Sequence, residues 1–274
     1  MSLLEQPFLV RALLAVLLVA PLLGLLSPLV VARRLAFLST ALGQAALTGL
    51  TLGLALGEPL DAPWGGTVGF CLLLALGLTW LKRRALLPAD TLIGVAVAFT
   101  LGLGICLLVA VTRRFNVHQI EALMFGSLLT VTRNDLFALA ALLVATALVA
   151  RRAWNAWVLD SAVAPLAPAH LPNRAWLDYL FVVVLTAAIV ASLKVIGALL
   201  VEAMVVIPAA AGRQLAASLR GHVAWSVAIA LLGGVAGLEL SCRFSVPSGG
   251  AVILALFALF LLACAVGAWR RGRR

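Results

Sequence analysis

WLDYLFVVVLTAAIVASL (residues 176–193) and VIGALLVEAMVVIPAAAG (residues 195–212) follow one another with Lys194 alone between them. Each is close to the roughly 20 residues a helix needs to cross about 30 Å of hydrocarbon. A soluble surface helix of this length would carry a charged face opposite its apolar stripe, and neither run has one. Inside a bilayer the chain must satisfy its own backbone hydrogen bonds, which a helix does within the segment. Two such runs in succession predict two transmembrane helices separated by a sharp break.

Seven more apolar segments lie on either side, at about 9–31, 36–57, 64–81, 91–112, 119–150, 222–241 and 248–268. The segment at 119–150 is interrupted: a short run meets Arg133, Asn134 and Asp135 before Leu136–Ala150 resumes, as a re-entrant or interfacial half-helix would. The first segment is too long for the apolar part of a signal peptide, and Ala32-Arg33-Arg34 is a poor cleavage context. The chain is 64% hydrophobic and 11% charged, with a mean hydropathy of +1.17, a balance that excludes a soluble protein of this length. The fold class is therefore all-α: a polytopic transmembrane bundle of about eight to nine spans, forming one domain over residues 1–274.

A net charge of +10 would suggest nucleic acid in a soluble protein. Here the arginines stand in pairs between apolar runs, and topology explains them without a nucleic-acid partner. With the N-terminus outside and the C-terminus inside, 14 of the 20 basic residues fall on the inner side, among them Arg33, Arg34, Lys82, Arg83, Arg84, Arg151 and Arg152. The connection bearing Glu58 and Asp61 has no basic residue and falls outside. The long connection at 151–175, with Pro165, Pro168 and Pro172, is then cytoplasmic. No phosphate-binding Gly-x-x-x-x-Gly-Lys-[Ser/Thr] loop is present, so the chain cannot hydrolyse ATP itself. Neither His-Glu-x-x-His nor Gly-x-Ser-x-Gly occurs, which argues against an intramembrane hydrolase. Cys71, Cys106, Cys242 and Cys264 are scattered and suggest neither disulfides nor a thiolate metal site. His118, His170 and His222 lie near segment ends and read as surface histidines, and Asp178 and Glu239 lie near interfaces where solvation is cheap. Trp154, Trp157, Trp176, Trp225 and Trp269 flank the segments in the manner of an aromatic belt.

Five stretches, in order, carry a resemblance. They are Arg33-Arg34-Leu35-Ala36-Phe37-Leu38 followed by Ala41-Leu42, and Asp90-Thr91-Leu92-Ile93-Gly94. Next come Arg114-Phe115-Asn116-Val117 and Phe125-Gly126-Ser127-Leu128-Leu129 with Arg133-Asn134-Asp135-Leu136. Lys194-Val195-Ile196-Gly197-Ala198-Leu199-Leu200-Val201 with Ile207-Pro208-Ala209-Ala210 is the most specific, and Val246-Pro247-Ser248-Gly249-Gly250 is the last. Together they resemble the permeases of zinc, manganese and iron ABC importers, the ZnuB type, over about residues 10–265. Taken singly, Gly126, Gly197 and Gly249 read as close-packing or turn positions, Pro208 as a helix kink, and Ser248 as a possible N-cap.

The resemblance implies a type II ABC importer-like fold. Its implied partners are a second permease copy, cytoplasmic ATP-binding subunits and an extracellular or periplasmic metal-binding protein, in the lipid of the bacterial cytoplasmic membrane. It also implies that the loop before the sixth segment docks on the ATPase through Leu166, Ala167, His170 and Arg174, although the family's glycine near His170 is missing. The chain would be a transport subunit and not an enzyme, with no cofactor. The metal implied is zinc first, with manganese or iron as alternatives; an ion-coupled secondary transporter of a small cation is the competing reading.

Departures from the family pattern bear on the pathway. The family commonly places an aspartate and a histidine four residues apart after the Ala-Phe-Leu run, and here those positions are Thr40 and Gln44. With Thr48 and Thr51 they form a neutral polar stripe on one helix face. Either the stripe lines an ion path, or the threonines bond to carbonyls one turn back and Gln44 bonds across helices. Glu202 stands within an apolar run, where a carboxylate costs about 2.5–3.5 kcal/mol on insertion scales unless a cavity or partner compensates it. It is expected to attract or briefly ligate the cation as a transient metal contact; the structural alternative is a glutamate held by Lys194 or a hydroxyl. Oxygen donors alone would favour oxygen-liking ions over an imidazole-rich zinc site.

Overall fold

The computed structural model describes residues 7–58, 64–84, 87–112, 131–162 and 174–272. Nine helices, and no strand, occur among the described residues: α1 (Pro7–Ala32), α2 (Leu38–Ala55), α3 (Trp64–Arg84), α4 (Ala89–Thr112), α5 (Arg133–Ala162), α6 (Arg174–Ile196), α7 (Ala198–Leu215), α8 (Leu219–Phe244) and α9 (Ser248–Gly272). Each contains a segment long and apolar enough to cross a membrane.

The helices form two groups around a shared centre. α3 and α4 pack on α2, while α7, α8 and α9 pack on one another and α1 lies against α7 and α8. α5 and α6 close the bundle, α6 meeting α3 and α5. α1, α2 and α6 are the most enclosed spans, and α3, α4, α5 and α9 leave most of their surface outward. Leu22, Leu23, Leu26, Leu42, Leu185, Ile189 and Leu200 are fully buried where these groups meet. Close helix approach, not apolar burial alone, holds neighbours together in lipid. At the α8–α9 crossing a Cβ on Gly237 would stand 2.7 Å from the Val252 nitrogen, so only glycine allows that contact.

The break between the two opening runs falls at Gly197, whose φ of +80° lies where glycine is favoured. Its N–H donates to the Leu193 carbonyl at 2.9 Å and its carbonyl accepts from the Val201 N–H at 3.1 Å. The chain thus reverses without orphaning backbone groups in an apolar setting. Pro208 lies buried inside α7, which continues past it. Gly249 does not fill a tight contact within the chain: a Cβ there meets nothing within 4 Å, in the first turn of α9. Gly126 lies outside the described residues, as does the segment read as a half-helix before residue 131.

Two sequence expectations meet the structure differently. Residues 151–162 of the long connection at 151–175 belong to α5, which runs on through Arg151 and Arg152 to Ala162. Hydropathy ends a span where charge begins, but Ala153 and Trp157, four apart, keep one face of the helix buried beyond that point. Leu166, Ala167 and His170 lie outside the described residues, and Arg174 opens α6. Trp157 is not part of a belt. It is fully buried, donates from Nε1 to the Leu177 carbonyl at 3.1 Å, and stands edge-on to Phe181 at 5.3 Å.

Candidate functional site

The first turn of α2 and the second turn of α7 face each other across the junction of the two helix groups. α7 is fixed from behind by Ser27 of α1, whose buried hydroxyl donates to the Val205 carbonyl at 2.6 Å. That leaves Glu202 on the side toward α2, where the Thr40 hydroxyl donates a hydrogen bond to Glu202 Oε1. Both residues are half-buried. A cavity of about 350 Å3 opens beside them, lined by Ala36 and Phe37 of the α1–α2 corner, Leu199, Ala203 and Val206 of α7, and Ile253 of α9. Glu202 is the one charged group in that lining.

A carboxylate in an apolar cleft keeps a stronger field than one in water, since little solvent screens it. The cleft can therefore draw a cation into the bundle and offer it carboxylate and hydroxyl oxygens. It cannot chelate one tightly: no group of three or more His, Cys, Asp or Glu residues stands close enough to hold a metal, among the described residues. Weak donors suit a path through which an ion must also leave.

The polar stripe of α2 divides. Thr40 faces Glu202, whereas Thr48 is fully buried and donates to the Thr100 carbonyl of α4 at 2.8 Å and to the Gln44 carbonyl at 3.3 Å. Thr51 bonds back to the Leu47 carbonyl at 3.0 Å. Gln44 lies half-buried one turn beyond Thr40. Structure thus brings Thr40 to Glu202, turns Thr48 into the α2–α4 packing and leaves Thr51 bonded within its own helix. Glu202 is held by a hydroxyl and not by Lys194, which pairs instead with Asp135 at 2.7 Å and lies 4.3 Å from the Trp64 ring. Asp135 also accepts from the backbone N–H of Thr132 at 3.1 Å, closing a capping box at the start of α5.

At the opposite ends of α3 and α6 from Lys194 lies a group the sequence reading missed. Arg33, at the end of α1, is 2.8 Å from Asp178 of α6, and Arg83 of α3 is 3.7 Å from the same carboxylate. Asp178 is therefore tied between helices and not simply solvated. His222, read as a surface residue, donates from Nε2 to the Ala209 carbonyl at 2.8 Å and ties α8 to α7. Arg33 and Asp178 are 145 positions apart, and no local pattern links them. Arg33 opens the Arg33–Leu38 motif, and a charge that close to a span is the one signal that pointed to it.

The model of the family described as the ABC 3 transport family matches residues 5–267. Among curated relatives, the high-affinity zinc uptake system membrane protein ZnuB of Haemophilus influenzae is 29% identical over 236 residues, covering 85% of this chain and 87% of the relative. The manganese import system permease protein ScaB of Streptococcus gordonii is 26% identical over 255 residues, covering 93% and 90%. Of the solved structures, PsaBC from Streptococcus pneumoniae in complex with Fab superposes with a TM-score of 0.81 at 26% identity, covering 95% of this chain and 92% of that one. The resemblance read from the five motifs holds along nearly the whole length. A multi-pass helical bundle with this match belongs to the ABC 3 transport family.

Proposed function

We propose that the chain is the membrane-spanning permease of an ATP-driven importer that carries a divalent cation, manganese ahead of zinc, through the cleft at Glu202. The observation that carries this reading is the Thr40–Glu202 contact at the junction of the two helix groups, with its oxygen-only donors. Carboxylate and hydroxyl oxygens suit manganese, while zinc gains more from imidazole and thiolate. The names of relatives include both metals and do not separate the zinc expected from the motifs from manganese. ATP hydrolysis falls to separate subunits that meet the segment around Leu166–Arg174. A second permease copy and an external metal-binding protein complete the importer. The N-terminus is outside and the membrane is the bacterial cytoplasmic one.

The test is uptake of radioactive manganese and zinc into proteoliposomes holding the complete importer, with and without internal ATP. Glu202→Gln keeps the volume and the acceptor for Thr40 but removes the charge. It should lower manganese uptake at least about tenfold, the effect of some 1.4 kcal/mol on the rate, with assembled protein unchanged. Normal uptake by Glu202→Gln removes the carboxylate from the pathway. Uptake that follows a proton gradient and ignores ATP makes the chain a secondary transporter.

A further inference from the structure

On the outer surface of the bundle, α3 and α6 leave an open groove of about 720 Å3. Leu73, Gly77 and Trp80 of α3 form one wall, and Trp176, Tyr179 and Val183 of α6 form the other. Trp80 is 50% and Trp176 63% exposed, a large aromatic area to leave uncovered. From Leu73 to Trp80 the groove advances about 10 Å at 1.5 Å per residue. That is about two thirds of the roughly 15 Å half-thickness of a hydrocarbon core.

The Trp80 end of the groove is strongly cationic. Lys82, Arg83 and Arg84 follow in sequence and are exposed. The Arg84 guanidinium lies 5.0 Å from the Trp80 ring centre, and Arg83 lies 3.7 Å from Asp178, the chain neighbour of Tyr179. Arg33 meets the same carboxylate, so it stands with the Lys82-Arg83-Arg84 run at this end. An apolar trough one leaflet deep, ending at an indole and a cluster of cations, matches an amphiphile with a fatty chain and an anionic head. A protein helix would fill the trough but would bring no phosphate to these exposed cations.

We propose that the α3–α6 groove is a binding site for one anionic phospholipid, an acyl chain lying against Leu73, Gly77 and Trp80 and the phosphate held among Lys82, Arg83 and Arg84. The site stands apart from the Glu202 cleft and does not depend on the transport reading or on the orientation of the chain.

The test is native mass spectrometry of the full-length permease, released from detergent after equilibration with phosphatidylglycerol or phosphatidylcholine of identical chains. The unaltered chain should retain one phosphatidylglycerol, at least about fivefold over phosphatidylcholine, the effect of a single cation near an anionic surface. Gly77→Phe fills the trough from within. A Cβ at Gly77 meets nothing within 4 Å, and phenylalanine is the better helix former, so the fold survives. Retention of both lipids should then be lost. Lys82→Gln with Arg84→Gln should keep phosphatidylcholine retention and bring the two lipids to parity. Parity in the unaltered chain overturns the headgroup assignment, and undiminished retention by Gly77→Phe overturns the groove. If Gly77→Phe instead converts a dimer to monomers, a second copy occupies the groove and the lipid reading fails.

Discussion

Asp178→Asn removes one charge and almost no volume from the junction of α1, α3, α5 and α6. Asp178 Oδ1 is 2.8 Å from Arg33 Nη1, and Oδ2 is 3.7 Å from Arg83 Nη2. At an effective dielectric constant near 20, the gross attractions are about 6 and about 4.5 kcal/mol. Desolvation offsets most of this, because the Arg33 side chain is only 6% exposed. What remains for that guanidinium after the substitution includes the Trp157 carbonyl at 3.3 Å and the Phe181 ring at 4.5 Å. Asp178→Asn takes a charge partner from this buried cation and should cost about 3–5 kcal/mol. Arg33→Met differs, since it removes the buried charge itself, refills the space with aliphatic atoms and leaves Arg83 beside Asp178. Its cost should be roughly half as large, near 2 kcal/mol, because no buried charge is stranded. The double variant should then be more stable than Asp178→Asn alone. Membrane bundles often unfold irreversibly, so the measurement is the inactivation half-life at a fixed temperature in one detergent, read as a rate. Equal losses for the two single variants, or losses that simply add in the double variant, refute the reasoning from the Arg33–Asp178 pair.

Two further predictions follow from packing and topology. Gly237→Ala places a methyl 2.7 Å from the Val252 backbone nitrogen and should cost about 1–3 kcal/mol, seen as a shorter inactivation half-life with unchanged insertion. Cysteines introduced singly at Ser161 and Pro63 in a cysteine-free background should differ in intact cells, an impermeant reagent labelling position 63 only. Labelling at 161 and not at 63 inverts the orientation drawn from the charge distribution.

Much of this architecture is legible without coordinates, and the reason is the solvent. Hydrocarbon offers no hydrogen bonds, so each apolar run of adequate length must be a helix, and each of the nine runs meets a helix among the described residues. A break between the two runs was readable from Lys194, and the structure places it three residues on, at Gly197. Where α5 ends was not, since hydropathy stops at Arg151 while the helix follows the burial of Trp157 and runs on to Ala162. Along the candidate path, the sequence marked Glu202 as costly and Thr40 as a departure from the family pattern, two local facts 162 positions apart. Their meeting, the diversion of Thr48 into the α2–α4 contact and the tie of Arg33 to Asp178 were decided by helix packing alone. In lipid, apolar side chains gain little by choosing one helix neighbour over another, so partner choice passes to close backbone contacts and polar pairs, which are properties of two faces at once and of no single stretch of chain.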